Sequence, residues 1–160
     1  MRLSVDEAFR QYGDRAFSAA FNVCRNRADA DDVVQDTFIR YYAKDLDYEN
    51  EEHIRAWLIR VAINRAKDIT ASLWHKNRVE WEEYMNELPF EAPADKGLFE
   101  AVMRLPDKYR IAIHLFYYED YSVKEIAKIL RTTESSVKVR LSRGRAKLKD
   151  ALKEEWEDEQ

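Results

Sequence analysis

Cysteine is almost missing from this chain: Cys24 stands alone among 160 residues. A single thiol excludes an intramolecular disulfide. With no CxxC and no paired-histidine spacing, a structural metal site is not expected either. Glycine and proline are also scarce, at three each. So few turn formers, beside abundant Ala, Glu, Lys, Arg and Leu, favour an all-α protein. No stretch approaches the roughly 18 apolar residues that a membrane span requires. The opening MRLSVDEAFRQYGDRAF lacks the apolar core of a signal peptide. The expectation is therefore a soluble cytoplasmic protein with no membrane insertion. Net positive charge is lacking too: the formal balance is −4, which by itself argues against nucleic acid.

That average conceals a strong alternation. Residues 27–52 hold three cations and nine anions, and residues 55–78 hold six and one. Residues 79–100 return to one and seven, and residues 121–153 swing to ten and three. Blocks of opposite sign suggest separate faces for separate partners, although alternation also simply keeps helices soluble. Hydrophobic residues make up 46% of the chain, enough for one compact core or two small ones.

Helical periodicity organises the chain. Phe9, Gly13, Ala16, Phe17, Ala20 and Phe21 mark a first helix from about Ser4 to Arg25. A second starts near Asp29, a plausible N-cap, and runs to about Lys44. LDYENEE, residues 46–52, reads as an acidic loop. A third helix covers His53 to His75, with Ile54, Trp57, Leu58, Val61, Arg65 and Ile69 on one stripe. Residues 76–96 hold Pro89, Pro93 and acids such as Glu80, Glu82 and Glu83. They read as a linker with a helical turn around Trp81 to Met85. Beyond it come a short helix, Gly97 to Arg104, and another from Pro106 to Glu119.

The strongest local signal is YSVKEIAKILRTTESSVKVRLSRGRAKLK. Ser122 and Glu125 have capping-box spacing. One helix ends at Arg131, and a second opens near Glu134 and runs to about Glu155. Ile126, Ala127 and Leu130 face inward on the first, and Val137, Leu141, Gly144 and Leu148 on the second. This is the layout of a helix-turn-helix, whose second helix enters the major groove by its N-terminal end. Ser135, Lys138, Val139 and Ser142 then become candidates for base edges, and Arg140, Arg143 and Arg145 for phosphates. The bland alternative is an amphipathic helix with a basic outer face.

Two further faces stand out. Asp32, Gln35, Asp36, Ile39 and Arg40 share one side of the second helix, while Val34, Phe38 and Tyr41 face elsewhere. Two carboxylates, an amide, an arginine and an exposed isoleucine suit a protein-docking surface; a solvated acidic face is the rival reading. Arg60, Asn64 and Lys67 share a face of the third helix. An amide between two cations can read a base edge while the cations hold phosphates. Trp57 lies on the apolar stripe and reads as core, which leaves Tyr48 in the loop as the aromatic candidate for stacking on a base.

Four passages, ADADDVVQDTFIRYYAK, HIRAWLIRVAINRAKD, LPDKYRIAIHLFYYEDYSVKEIAKIL and ESSVKVRLSRGRAKLK, occur in an order that resembles the extracytoplasmic-function sigma factors, the smallest members of the sigma-70 family. The resemblance implies two small helical domains joined by a flexible linker: a region 2-like domain over residues 1–78, an acidic linker over 79–96, and a region 4-like helix-turn-helix domain over 97–160. It implies core RNA polymerase (beta-prime and beta subunits), promoter DNA and an anti-sigma factor as partners, with no cofactor. It assigns the Asp32–Arg40 face to the polymerase, the Tyr48 loop and Arg60, Asn64 and Lys67 to the minus-10 element, and the recognition helix to the minus-35 element. Three features depart from the family's pattern. The run after the third helix, ASLWHKNR, is poor in cations, the loop before that helix is strongly acidic, and Arg131 stands where the turn usually has glycine. The alternatives are a helix-turn-helix regulator that acts without polymerase and a sigma-like adaptor that forms no holoenzyme. An enzyme is disfavoured because His53, His75, His114 and Cys24 form no nucleophile-base or ligand spacing.

Overall fold

A computed structural model of the chain describes residues 1–73 and 96–158, and every described element is helical. The chain divides into two units, Met1–Leu88 and Pro89–Gln160. The division falls within the expected linker, whose residues 79–95, with the turn around Trp81 to Met85, lie outside the described residues.

The first unit is a bundle of α1 (Val5–Cys24), α2 (Arg27–Ala43) and α3 (Glu51–Leu73), each packed on the other two. Ser4 caps α1 by accepting a hydrogen bond from the Glu7 amide at 3.2 Å. Arg25, at φ 55°, turns the chain out of it. The N-cap of α2 is Asn26 rather than the expected Asp29, because the Asn26 carboxamide accepts from the Asp29 amide at 3.0 Å. Likewise α3 begins at Glu51, two residues early, and the Asn50 side chain accepts from the His53 amide at 2.9 Å.

Small residues on α1 (Ala8, Ala16, Ala19 and Ala20) are wholly buried or nearly so, which lets the other helices close in. Ile54, Leu58, Ile59 and Ile63 of α3 and Val33 and Tyr41 of α2 fill the interior. Each such large side chain contributes roughly 1.5–3 kcal/mol by leaving water. Two members of the expected apolar stripes fall elsewhere. Phe9 is 54% exposed and meets Phe38 edge-on. Arg65 reaches sideways to an ion pair instead of lining the seam.

The second unit contains α4 (Lys96–Met103), α5 (Asp107–Ile113), α6 (Val123–Leu130) and α7 (Glu134–Asp158). The helix expected to run unbroken to Glu119 changes pitch: residues His114–Tyr118 form a π turn, sealed by the Glu119 amide donating to the His114 carbonyl at 3.2 Å. The wider turn buries Leu115, Glu119 and Tyr121 while Tyr117 and Tyr118 point outward. Arg110 is fully buried, and its guanidinium donates to the Leu105 carbonyl at 2.8 Å and to Asp107 at 2.6 Å.

The capping box at α6 is complete. The Glu125 amide donates to the Ser122 hydroxyl at 3.1 Å, and the Ser122 amide donates to Glu125 at 3.3 Å. Arg131 closes α6 at φ 54°, a left-handed conformation that costs an L side chain about 1 kcal/mol. Thr133 then caps α7, its hydroxyl accepting from the Ser136 amide at 3.1 Å. Ile129 is buried in α6 beside Ile126 and Ala127, and Leu130 is only partly covered. Val137, Leu141 and Gly144 form the buried seam of α7. A Cβ at Gly144 would sit 3.1 Å from Ile113 Cγ1 and 3.3 Å from its Cδ1, so glycine is what lets α7 lie this close to α5.

Two substitutions test these backbone assignments by chemical denaturation of the full chain. Arg131→Gly should raise stability by about 1 kcal/mol by relieving the left-handed strain. Gly144→Val should lower it by about 1–3 kcal/mol through overpacking against Ile113. A stabilised Gly144→Val protein would contradict the close approach.

Candidate nucleic-acid and protein interfaces

On α2, burial of Val33, Val34, Thr37, Phe38 and Tyr41 fixes which residues point outward. Asp32, Gln35, Ile39 and Arg40 are exposed, Ile39 to 64%. Tyr42, not anticipated from the sequence, is 75% exposed one turn beyond Ile39. Extending the Gln35–Ile39 spacing by three residues would have found it. Asp36, on the same side of the helix, is also tied within the bundle. Its carboxylate is half-buried, 2.7 Å from Arg65 Nε on α3 and 3.8 Å from Arg40 Nη2. It braces α2 against α3, a partly exposed pair contributing up to about 1 kcal/mol.

On α3, Arg60 and Asn64 are half-buried and Lys67 is exposed, all on one side of the helix. The loop before α3 holds the main correction. Tyr48 is only 2% exposed. Its ring stacks on Tyr41 at 5.9 Å and meets His53 and Trp57 edge-on at 5.2 and 6.2 Å. Burial, then the Tyr41 side chain, push its hydroxyl above the ordinary tyrosine range. Tyr48 is therefore the anchor of the loop, and its ring is not available to a base. The residues the loop exposes are Asp45, Leu46, Asp47, Glu49 and Asn50.

On α7, Ser135, Lys138, Val139, Ser142 and Arg143 are exposed, Val139 to 45%, and Arg140 is half-buried. They lie opposite the Val137–Leu141–Gly144 seam, so their outward aim follows from the packing. Arg143 hydrogen-bonds the Tyr109 hydroxyl and thereby draws it below its usual range. Arg145 is engaged within its own unit. It donates to the Tyr117 hydroxyl and lies 5.5 Å over both the Phe116 and Tyr117 rings.

Comparison with known proteins gives the family. The family models described as sigma-70 region 2 and sigma-70 region 4 match residues 8–76 and 97–148. The RNA polymerase sigma factor SigV of Bacillus subtilis (strain 168) is 30% identical over 130 residues, covering 79% of this chain and 78% of that protein. The chain belongs to the extracytoplasmic-function branch of the sigma-70 family. The ECF RNA polymerase sigma factor SigE of Mycolicibacterium smegmatis is 30% identical across 93% of this chain, which spans 62% of that longer relative. Among solved structures, CnrH in complex with the cytosolic domain of CnrY superposes with a TM-score of 0.68 at 27% identity, covering 93% of this chain and 87% of that one.

In this sigma factor, the α2 and α3 faces fall inside the region 2 match and the α7 face inside the region 4 match, while residues 1–7 lie outside both. Within the region 4 match lies His114, nearly enclosed, with its ring stacked on Tyr118 at 4.9 Å and Nε2 3.9 Å from Glu119. Burial, and secondarily the Arg110 charge, lower it to about 4. The folded imidazole refuses a proton that the unfolded one accepts. Stability should thus fall as pH drops from 6.5 toward 4, and the slope should vanish above 6.5, where both forms are neutral. Below pH 6 the loss should approach about 1.4 kcal/mol per pH unit. Melting of the full chain between pH 6.5 and 5 checks it, with His114→Gln expected to flatten the slope. An unchanged slope in that variant would assign the dependence elsewhere.

Proposed function

We propose that this sigma factor directs core RNA polymerase to specific promoters and starts strand separation there, with its binding surfaces divided among α2, α3 and α7. The observation that carries the reading is the pairing of a region 2 match with a region 4 match in one chain. A helix-turn-helix regulator acting without polymerase would leave the exposed Asp32–Gln35–Ile39–Tyr42 face and the Asn64 face without a task.

The α2 face docks on the polymerase, on the coiled coil of the beta-prime subunit. Ile39 and Tyr42 supply apolar contact, and Asp32, Gln35 and Arg40 supply polar rim. The N-terminal part of α7 enters the major groove of the minus-35 element. Lys138, Ser135, Val139 and Ser142 meet base edges and thymine methyls there, while Arg140 and Arg143 hold phosphates. At the minus-10 element, with the Tyr48 ring withdrawn, base capture rests on the Asn64 amide, flanked by Arg60 and Lys67. Holding an extruded base offsets an unstacking cost of only a few kcal/mol, so opening proceeds without ATP. The reading assigns the chain no catalytic step and places it in the cytoplasm beside the polymerase. Among the described residues no helix is long and apolar enough to cross a membrane. An anti-sigma factor is the antagonist this reading expects, by analogy with CnrH, whose structure was solved with a protein partner.

The decisive experiment is transcription with purified core polymerase on a genomic DNA pool, followed by sequencing of the transcripts. Enrichment of no start sites over core enzyme alone would sink the reading. Ile39→Asp should weaken core binding by at least about tenfold, a hot-spot effect. Asp36→Ala should mainly lower thermal stability, through loss of the Arg65 pair. Lys138→Ala should relax selectivity in the upstream element. Arg143→Ala should weaken binding evenly across sequences and reduce the salt slope by about one. Wild-type behaviour of both α7 variants would remove that helix from the DNA.

A further inference from the structure

The first two residues lie outside the region 2 match, yet they grip the loop between α2 and α3 along most of its length. Arg2 is half-buried against the C-terminal end of α2. Its Nη2 donates to the Tyr41 and Tyr42 carbonyls at 2.6 and 3.4 Å, and its Nη1 to the Lys44 and Leu46 carbonyls at 2.7 and 3.5 Å. These include the carbonyls a helix end leaves without a partner, where a cation is also favoured by the helix dipole. The same guanidinium lies 4.6 Å over the Tyr41 ring, and its Nε is 3.8 Å from Asp45. Met1 and Tyr48 exchange a reciprocal pair of main-chain hydrogen bonds, at 2.7 and 2.9 Å. The next residue, Leu3, is buried, and its carbonyl accepts from the Tyr41 hydroxyl at 2.6 Å.

This clamp sits beside the α3 face. Tyr48 rests on Trp57, one turn before Arg60. The loop exposes Asp45, Asp47 and Glu49 within the same short segment. Where those carboxylates stand decides where a nucleic-acid strand can pass, because like charge excludes phosphates at close range. A planar, forked guanidinium can hold four carbonyls together, and a lysine ammonium cannot.

We propose that Arg2 is a positioning residue for promoter reading: it fixes the acidic loop 45–49 against the end of α2, so that the loop's carboxylates border the Arg60–Asn64–Lys67 face and restrict which minus-10 strand is accepted. The inference rests on the minus-10 assignment of that face. Arg2 itself touches no nucleic acid; it acts through the loop.

The test uses the full chain with core polymerase and two templates that differ only in the minus-10 element, one taken from the wild-type selection and one mismatched. Arg2→Ala should lower the ratio of matched to mismatched transcript by about fivefold, the factor corresponding to one lost hydrogen bond. Amide exchange over residues 45–49, measured without DNA, should accelerate in the same variant. Arg2→Lys, which keeps the charge but not the fork, should fall between; it carries the test if Arg2→Ala does not fold. Tyr41→Phe removes the Leu3 anchor but leaves the loop contacts, and should keep the wild-type ratio. Core affinity should hold in all three. An unchanged ratio in Arg2→Ala and Arg2→Lys overturns the inference, as does an equal fall in Tyr41→Phe, which would mark a general loss of stability. A wild-type protein with no minus-10 preference at all overturns the parent assignment, and this inference with it.

Discussion

Close packing of α7 on α5 at Gly144 governs what the second unit presents to a partner. With Ile113 side-chain carbons only 3.1 and 3.3 Å from where a Cβ would be, α7 has little freedom to roll about its axis. Because a helix turns 3.6 residues per revolution, burying Val137, Leu141 and Gly144 fixes the direction of every other side chain on it. Ser135, Lys138, Val139 and Ser142 point outward as a consequence of that seam. The first unit obeys the same constraint through its alanines. Ala8, Ala16, Ala19 and Ala20 let α1 approach its neighbours closely, and burial of Val33, Phe38 and Tyr41 turns the opposite side of α2 to solvent. In both units the outward face offered to a partner is the complement of the core.

Tight packing in small units leaves strain and buried polarity that must be compensated nearby. Arg131 holds a left-handed conformation, offset by the Thr132 amide reaching back to the Ala127 carbonyl at 2.9 Å and by a complete capping box at the other end of the same helix. Arg110 is fully buried, a costly placement for a cation unless its donors are used; Leu105 and Asp107 accept from it. These devices tie α5, the π turn and α6 into one support for α7, so the outward face of α7 inherits its rigidity from residues on the neighbouring elements.

Much of this was legible from spacing. The helix-turn-helix, the capping box and the inward aim of Gly144 all follow from local rules of helix termination and periodicity, while Arg131 was marked only by the glycine the family usually has there. The core role of Trp57 followed from the same periodicity. What escaped depends on contacts between residues distant in sequence. Tyr48 sits in an acidic loop, where an aromatic reads as exposed, and only the Tyr41 and Trp57 rings reveal it as an anchor. Asp36 shares a helix face with Asp32 and Gln35, but periodicity cannot show that Arg65 waits on the neighbouring helix. Arg2 carries no motif, and its role exists only because the start of the chain returns to the end of α2. The π turn at His114–Tyr118 has no signature in the periodicity, which continues through it without a break.

The chain's negative net charge is reconciled with DNA binding by the range over which charge acts. Salt screens exposed charges beyond about 8–10 Å, so a strand senses the residues it touches and not the sum over the molecule. Residues 121–153 carry ten cations against three anions, whereas the acids cluster elsewhere, around the start of α2 and in the loop at 45–52. Other acids are used internally: Asp36 pairs with Arg65 across two helices, and Asp107 receives the buried Arg110. A carboxylate committed to an internal arginine no longer contributes its full charge to the surface. The arithmetic of composition therefore misstates the field at each face, and the placement of ion pairs, not their count, determines which parts of the molecule attract a polyanion.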